Sequence, residues 1–176
     1  MPNLILVKPS EEYIDEIKSY KQECLTDHDH VHGGNGLDDF DDIAAWIKHC
    51  RLCEHKETLP NPDWVEAEEY MLVCEGDRRI LGLINFRHYF NDYLAEFGGH
   101  IGYSIRPSER RKGYAHNMLA LCLDKCRKYG LDRVLITCNK NNEASRRTIL
   151  SCGGIFERYA PNEKENGIEE RYWIEL

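Results

Sequence analysis

Residues 98–115 read Gly98-Gly99-His100-Ile101-Gly102-Tyr103-Ser104-Ile105-Arg106-Pro107-Ser108-Glu109-Arg110-Arg111-Lys112-Gly113-Tyr114-Ala115, and the remainder of the chain is arranged around what they encode. Ile101, Tyr103 and Ile105 alternate with smaller or polar residues, the period-two pattern of a strand over Gly99–Arg106 that Pro107 stops. From Gly113 to Gly130 the spacing becomes helical. Ala115, Met118, Leu119, Cys122, Cys126 and Tyr129 fall on one apolar stripe, and Gly130 stands where a C-terminal cap belongs. Between strand and helix lies a basic turn, Arg110-Arg111-Lys112. A compact turn at a helix start exposes backbone N–H groups, the helix dipole points its positive end the same way, and small residues allow close approach of an anion. Basic turns before helices are also common on solvated surfaces, so this segment by itself fits either reading.

Downstream, Arg133–Cys138 reads as a strand and Asn142–Cys152 as a short helix ending at Gly153-Gly154. Ile155–Tyr159 and Ile168–Ile174 form a closing strand pair. Upstream, Leu4–Lys8 is a short strand stopped by Pro9, and Ser10 offers an N-cap with Glu11 and Glu12 in the first turn. Tyr13, Ile17, Tyr20 and Cys24 predict a first amphipathic helix; Ile43, Trp46, Ile47, Cys50 and Cys53 predict a second, followed by Pro60 and Pro62. Tyr70–Glu75 and Ile80–Phe86 flank the turn Gly76-Asp77-Arg78 as a hairpin, and a polar bend at Asn91–Asp92 leads back to the quoted strand. An antiparallel meander followed by a strand–helix–strand unit implies an α/β protein with a mixed sheet and helices on both faces. No repeat or linker divides the chain, so residues 1–176 are expected to form one domain.

The 31 acidic and 23 basic residues give a net charge of −8, which disfavours nucleic acid as a partner unless a local patch reverses the sign. The same charge would attract a cationic acceptor. No apolar run is long enough to cross a bilayer, and the opening MPNLILVKPSEEY has too short an apolar part for a secretory signal, which leads to the expectation of a cytoplasmic protein with no membrane partner. Cysteines at Cys122, Cys126, Cys74 and Cys138 fall in helical or strand-like runs, where they act as small apolar residues. Cys50-x-x-Cys53, flanked by His49 and His55, offers half of a metal site with no second half. The loop 27–42 carries His28, His30 and His32 among Asp27, Asp29, Asp38, Asp39, Asp41 and Asp42. Such a mixture suits a metal ion or a plain solvated loop, and no metal site is assigned.

Taken together, the basic turn and the later Asn142-Glu143-Ala144-Ser145 resemble the GNAT superfamily of N-acetyltransferases. The family's central motif is Arg or Gln, two residues, Gly, one residue, then Gly or Ala; here that is Arg110, Gly113 and Ala115, preceded by the family-like strand GGHIGYSIRPS. The later CNKNNEASRRTILSCGGIFE looks like the family's next strand and helix. The resemblance covers about residues 78–160, and the first 65 match only in their two-helix layout. It implies a mostly antiparallel mixed sheet whose two central strands part like a V around acetyl-CoA. The backbone of Ile105 and Arg106 would meet the pantetheine arm. Main-chain N–H groups of Arg110, Arg111, Lys112, Gly113, Tyr114, Ala115 and His116 would hold the pyrophosphate, and Asn142 and Ser145 would touch the cofactor from the second helix.

It also implies acetyl transfer to a primary amine of a small molecule or peptide. An alkyl ammonium with a pKa near ~10 is only about one part in a thousand neutral at pH 7, so a base is useful. His100 and Glu96, on or just ahead of the strand beside the motif, are the candidates. Many relatives place a tyrosine acid seven residues after the motif asparagine, where this chain has Ile149; Tyr103 or Tyr114 could substitute. The missing tyrosine leaves room for a non-catalytic acyl-CoA-binding sensor, and the basic turn for a phosphate-binding module. The closing strands could pair between two copies to form a homodimer.

Overall fold

The computed structural model describes residues 3–176; Met1 and Pro2, which open the N-terminal stretch read above, lie outside the described residues. Four strands form one antiparallel sheet in the order β1 (Leu4–Val7), β2 (Ala67–Cys74), β3 (Ile80–Arg87), β4 (Ile101–Ile105). A second antiparallel sheet has the order β5 (Arg133–Asn139), β7 (Gly167–Glu175), β6 (Ile155–Asn162). Helices α1 (Ile14–Thr26) and α2 (Ile43–Leu52) precede β2, α3 (Tyr114–Tyr129) links β4 to β5, and α4 (Glu143–Ser151) follows β5.

Alternation along the strands sorts the core into two layers. Met71, Val73, Ile80 and Leu83 face α1 and α2, where they bury Ile17, Tyr20, Trp46 and Ile47. Tyr70, Leu72, Ile84 and Phe86 face the other way, packing with Met118, Leu119 and Cys122 of α3 and with Ile136 and Tyr172 of the second sheet. All eight cysteines are free thiols, and six are buried as apolar residues. No helix of the described residues is long and apolar enough to cross a membrane.

Three local expectations are corrected. Ser10 does not cap a helix; its hydroxyl bonds the Glu12 carboxylate at 3.2 Å, whereas Asp42 and Asn142 do cap α2 and α4. Tyr129, the last residue of α3, is not buried with the apolar stripe: it is 50% exposed, stacks on His88 with centroids 4.3 Å apart and meets the Phe86 ring edge-on at 5.6 Å. The strand expected from Gly99 begins at Ile101, because Gly99 and His100 belong to a junction described below.

Candidate active site

The two sheets come together where β4 approaches β5. Among the described residues one isolated bridge, Gly99 to Ile136, joins them, and no ladder continues beyond it. Which backbone groups face the resulting gap follows from register. His100 accepts from Arg87 N–H at 2.7 Å and Arg106 N–H donates to Leu81 at 2.9 Å, so even-numbered residues of this strand bond to β3. Ile101, Tyr103 and Ile105 therefore turn their N–H and C=O groups into the gap. This corrects half of one expectation. Ile105 borders the gap, but the Arg106 N–H is committed to β3. The Arg106 side chain is also turned inward, 1% exposed, against Glu16 at 2.6 Å, Glu23 at 3.1 Å and the Ile80 carbonyl at 2.8 Å.

Beyond the end of β4, the turn before α3 has the backbone geometry of an anion cradle. Arg111 and Gly113 have φ of +63° and +82°, and left-handed residues alternating with ordinary ones point successive N–H groups to one side. The N–H groups of Arg111 through His116 donate to no protein group among the described residues. A Cβ on Gly113 would meet nothing within 4 Å, so glycine here serves the backbone conformation and leaves the approach open.

The three basic side chains are less available than their sequence suggests. Arg110 bonds Asp27 at 2.9 Å, Asp29 at 2.7 Å and the Ile105 carbonyl at 3.2 Å, which fastens the acidic loop to the cradle. Lys112 pairs with Glu109 at 2.8 Å. Of the three, only Arg111 has no acidic partner among the described residues. His28, His30 and His32 lie in the same loop; no metal-binding cluster of His, Cys, Asp and Glu occurs among the described residues.

Across the gap, Asn142 caps α4 by accepting the Ser145 N–H at 3.0 Å. The Ser145 hydroxyl lies 2.8 Å from Tyr103 Oη, linking α4 to β4. Burial pushes the Tyr103 phenol up to about 12, so it stays protonated across the working range. His116 turns to the Ser151 hydroxyl at 2.8 Å, and Ile149 is fully buried.

At the narrow end, His100 donates its backbone N–H to the Leu135 carbonyl at 2.8 Å and accepts the Leu135 N–H on Nδ1 at 2.9 Å. Its ring packs on Phe90 with centroids 4.2 Å apart. Burial, with the Arg87 guanidinium second, pulls its pKa down to about 4. Glu96 is held by both Arg158 nitrogens at 2.8 and 2.7 Å, and those bonds keep its carboxyl below the usual range. Neither candidate base is free: the lone pair of one and the carboxylate of the other are already engaged.

Sequence reasoning missed the residues that build this narrow end. Arg171 donates to the carbonyls of Ala95 and Glu96, Thr137 to that of Phe97 at 2.6 Å, and Arg87 to those of Gly98 at 3.1 Å and Gly99 at 3.2 Å. The Gly98-Gly99 pair was the one available signal, since paired glycines mark close approach of backbone.

Free N–H groups around an open glycine, beside a gap with unpaired strand edges, suit a pyrophosphate carrying an extended arm. The chain matches the family model described as an acetyltransferase (GNAT) domain over residues 3–155. No curated protein matches. The microcin C7 self-immunity acetyltransferase MccE, solved with acetyl-CoA and AMP, superposes with a TM-score of 0.72 at 17% identity, covering 98% of this chain and 92% of that one. A ribosomal-protein-S5-alanine acetyltransferase from Vibrio fischeri gives 0.70 at 18% identity, covering 98% and 91%. An acetyltransferase from Salmonella typhimurium that modifies the N-terminal serine of ribosomal protein L7/L12 gives 0.72 at 13% identity, covering 100% and 96%.

Proposed function

The chain belongs to the GNAT acetyltransferase family, and we propose that it transfers acetyl from acetyl-CoA to a primary amine of a cationic small molecule or of a peptide. It is an acetyl-CoA-dependent acetyltransferase; the proposal concerns the acceptor and the residues. One observation carries the assignment of the cofactor site: the N–H groups of Arg111 to His116 are unpaired at the mouth of the gap between β4 and β5. Arg110 acts through its ion pairs to the acidic loop, while Ile105, Asn142 and Ser145 line the gap. Acetyl-CoA supplies an activated thioester acyl group.

The chain contributes orientation and electrostatics. Gap-facing N–H groups on Ile101, Tyr103 and Ile105 are fixed donors for charge that develops on a carbonyl oxygen. The Tyr103 hydroxyl, protonated and bonded to Ser145, orders α4 against β4. With His100 and Glu96 engaged, the amine sheds its proton to water. The aspartates of loop 27–42 that Arg110 leaves unpaired favour a cationic acceptor, and two ribosomal-protein acetyltransferases with this fold make a peptide amine a fitting class. With both bases engaged and Ile149 where many relatives have a tyrosine, turnover rests on orientation and water and not on a dedicated acid or base. We read residues 1–176 as one acetyltransferase domain working in the cytoplasm, where free thiols persist. The exposed Ile155, Phe156 and Tyr159 on edge strand β6 support a homodimer.

Calorimetric titration with acetyl-CoA tests the site. Saturable binding weakened by both Arg110→Glu and Gly113→Glu is expected, and no binding by the folded wild type would overturn it. A screen of small amines and short basic peptides then tests the acceptor class, and acetylation of none of them would overturn it.

A further inference from the structure

The segment 94–100 is tied into both sheets more heavily than a connection requires. Leu94 to Gly98 form one wide turn, closed by the Gly99 N–H on the Leu94 carbonyl at 2.7 Å. The next five carbonyls, Ala95 to Gly99, each receive a side-chain donor: Arg171 from β7, Thr137 from β5 and Arg87 from β3. Gly99 has φ of +64°, and a Cβ there would stand 2.4 Å from the Leu135 carbonyl, so only glycine permits the approach. One residue later His100 completes the junction. Its main chain donates to Leu135 and its ring takes the place of a strand carbonyl for the Leu135 N–H.

We propose that His100 is a positioning residue, the pin that fixes β4 against β5 and thereby sets the opening of the gap that receives acetyl-CoA. Beyond this antiparallel bridge the two strands pair no further, and the Tyr103–Ser145 bond sets the later part of β4 beside the start of α4, the helix that follows β5. A change in angle at the pin is carried to the far end, where cradle and α4 must both meet one ligand. A neutral imidazole with Nδ1 as acceptor is what the pin needs. The Arg87 guanidinium, the charged group facing it from β3, disfavours a second proton on the ring, and Phe90 and Leu135 present no charge. The same geometry removes His100 from the role of base, because its acceptor nitrogen is occupied.

The inference rests on the acetyltransferase reading for its function, but its first readout does not need turnover. Asparagine can place Oδ1 near the position of Nδ1, so His100→Asn should keep the bond to Leu135, whereas His100→Ala should lose it. Amide hydrogen exchange at Leu135 and calorimetric affinity for acetyl-CoA are measured for wild type and both variants. The expected result is loss of Leu135 protection and affinity weakened at least tenfold in His100→Ala. In His100→Asn, affinity should hold within about threefold, with an unchanged pH profile of acetylation for any amine found in the screen. Unchanged Leu135 protection and affinity in His100→Ala would overturn the proposal. So would equal loss of turnover in both variants at undiminished affinity, the mark of a base. If His100→Ala does not fold, nitrogen-15 shifts of the wild-type imidazole decide: a proton on Nδ1 at pH 7 overturns the pin, and a bare Nδ1 supports it. Protected Leu135 with no acetyl-CoA binding at all would instead sink the cofactor site and with it the pin's function.

Discussion

Tyr103 Oη lies 2.8 Å from Ser145 Oγ, so a side chain of β4 reaches the first turn of α4 across the gap between the sheets. This hydroxyl pair ties α4 to β4 beside the proposed path of the cofactor arm. Removing it with Tyr103→Phe forfeits one hydrogen bond, about 1 kcal/mol. The expected outcome is a roughly fivefold rise in KM for acetyl-CoA with little change in kcat. Because burial holds the phenol near about 12, the pH profile below 9 should not change, which steady-state kinetics across pH will check.

Arg111 and Lys112 should behave differently despite equal charge. Lys112 is paired with Glu109, whereas Arg111 has no acidic partner among the described residues. Arg111→Ala is expected to weaken acetyl-CoA binding about tenfold and Lys112→Ala less than threefold, read by calorimetry at low salt.

Arg110→Ala strips the counter-charge from Asp27 and Asp29, leaving two carboxylates beside the turn proposed to hold the pyrophosphate. Affinity for acetyl-CoA should fall about tenfold. Adding Asp27→Asn and Asp29→Asn should restore most of it. Failure of the triple variant to recover would mean the guanidinium itself contacts phosphate.

Stability should fall on mild acidification. His100 has a pKa near about 4 in the fold, chiefly through burial, against ~6.5 when unfolded. Between those values the unfolded chain binds more protons, so stability rises with pH there. The contribution is complete above about pH 6.5 and is lost as pH falls through 4. Melting temperatures from pH 7 to 4.5 should decline more steeply for wild type than for His100→Asn.

Arg106→Met should destabilise the fold by about 3 kcal/mol, because Glu16 and Glu23 would lose a buried cation that fixes α1 to the end of β4. For a chain of this size that is roughly a 10 °C drop in Tm, measurable by thermal melts.

Much of this protein was legible because the relevant physics is local. Helical and strand periods placed the elements within about three residues at each end, and Gly113 and Gly130 marked the ends of α3 with left-handed backbone. Arg110-x-x-Gly113-x-Ala115 announced the cradle for the same reason. The engagement of the candidate bases could not be read from the sequence, because a side chain's availability depends on its partners, and those are distant in sequence: Leu135 for His100 and Arg158 for Glu96.

The sequence alone determined the order of elements, the apolar faces and the glycine-containing basic turn before α3, since each follows from spacing along one segment. Only the tertiary structure decided that β4 and β5 meet at a single point, that Arg110 and Lys112 are already neutralised, and that His100 holds a joint. These depend on hydrogen bonds and ion pairs between residues brought together by packing, which no pattern within one segment encodes.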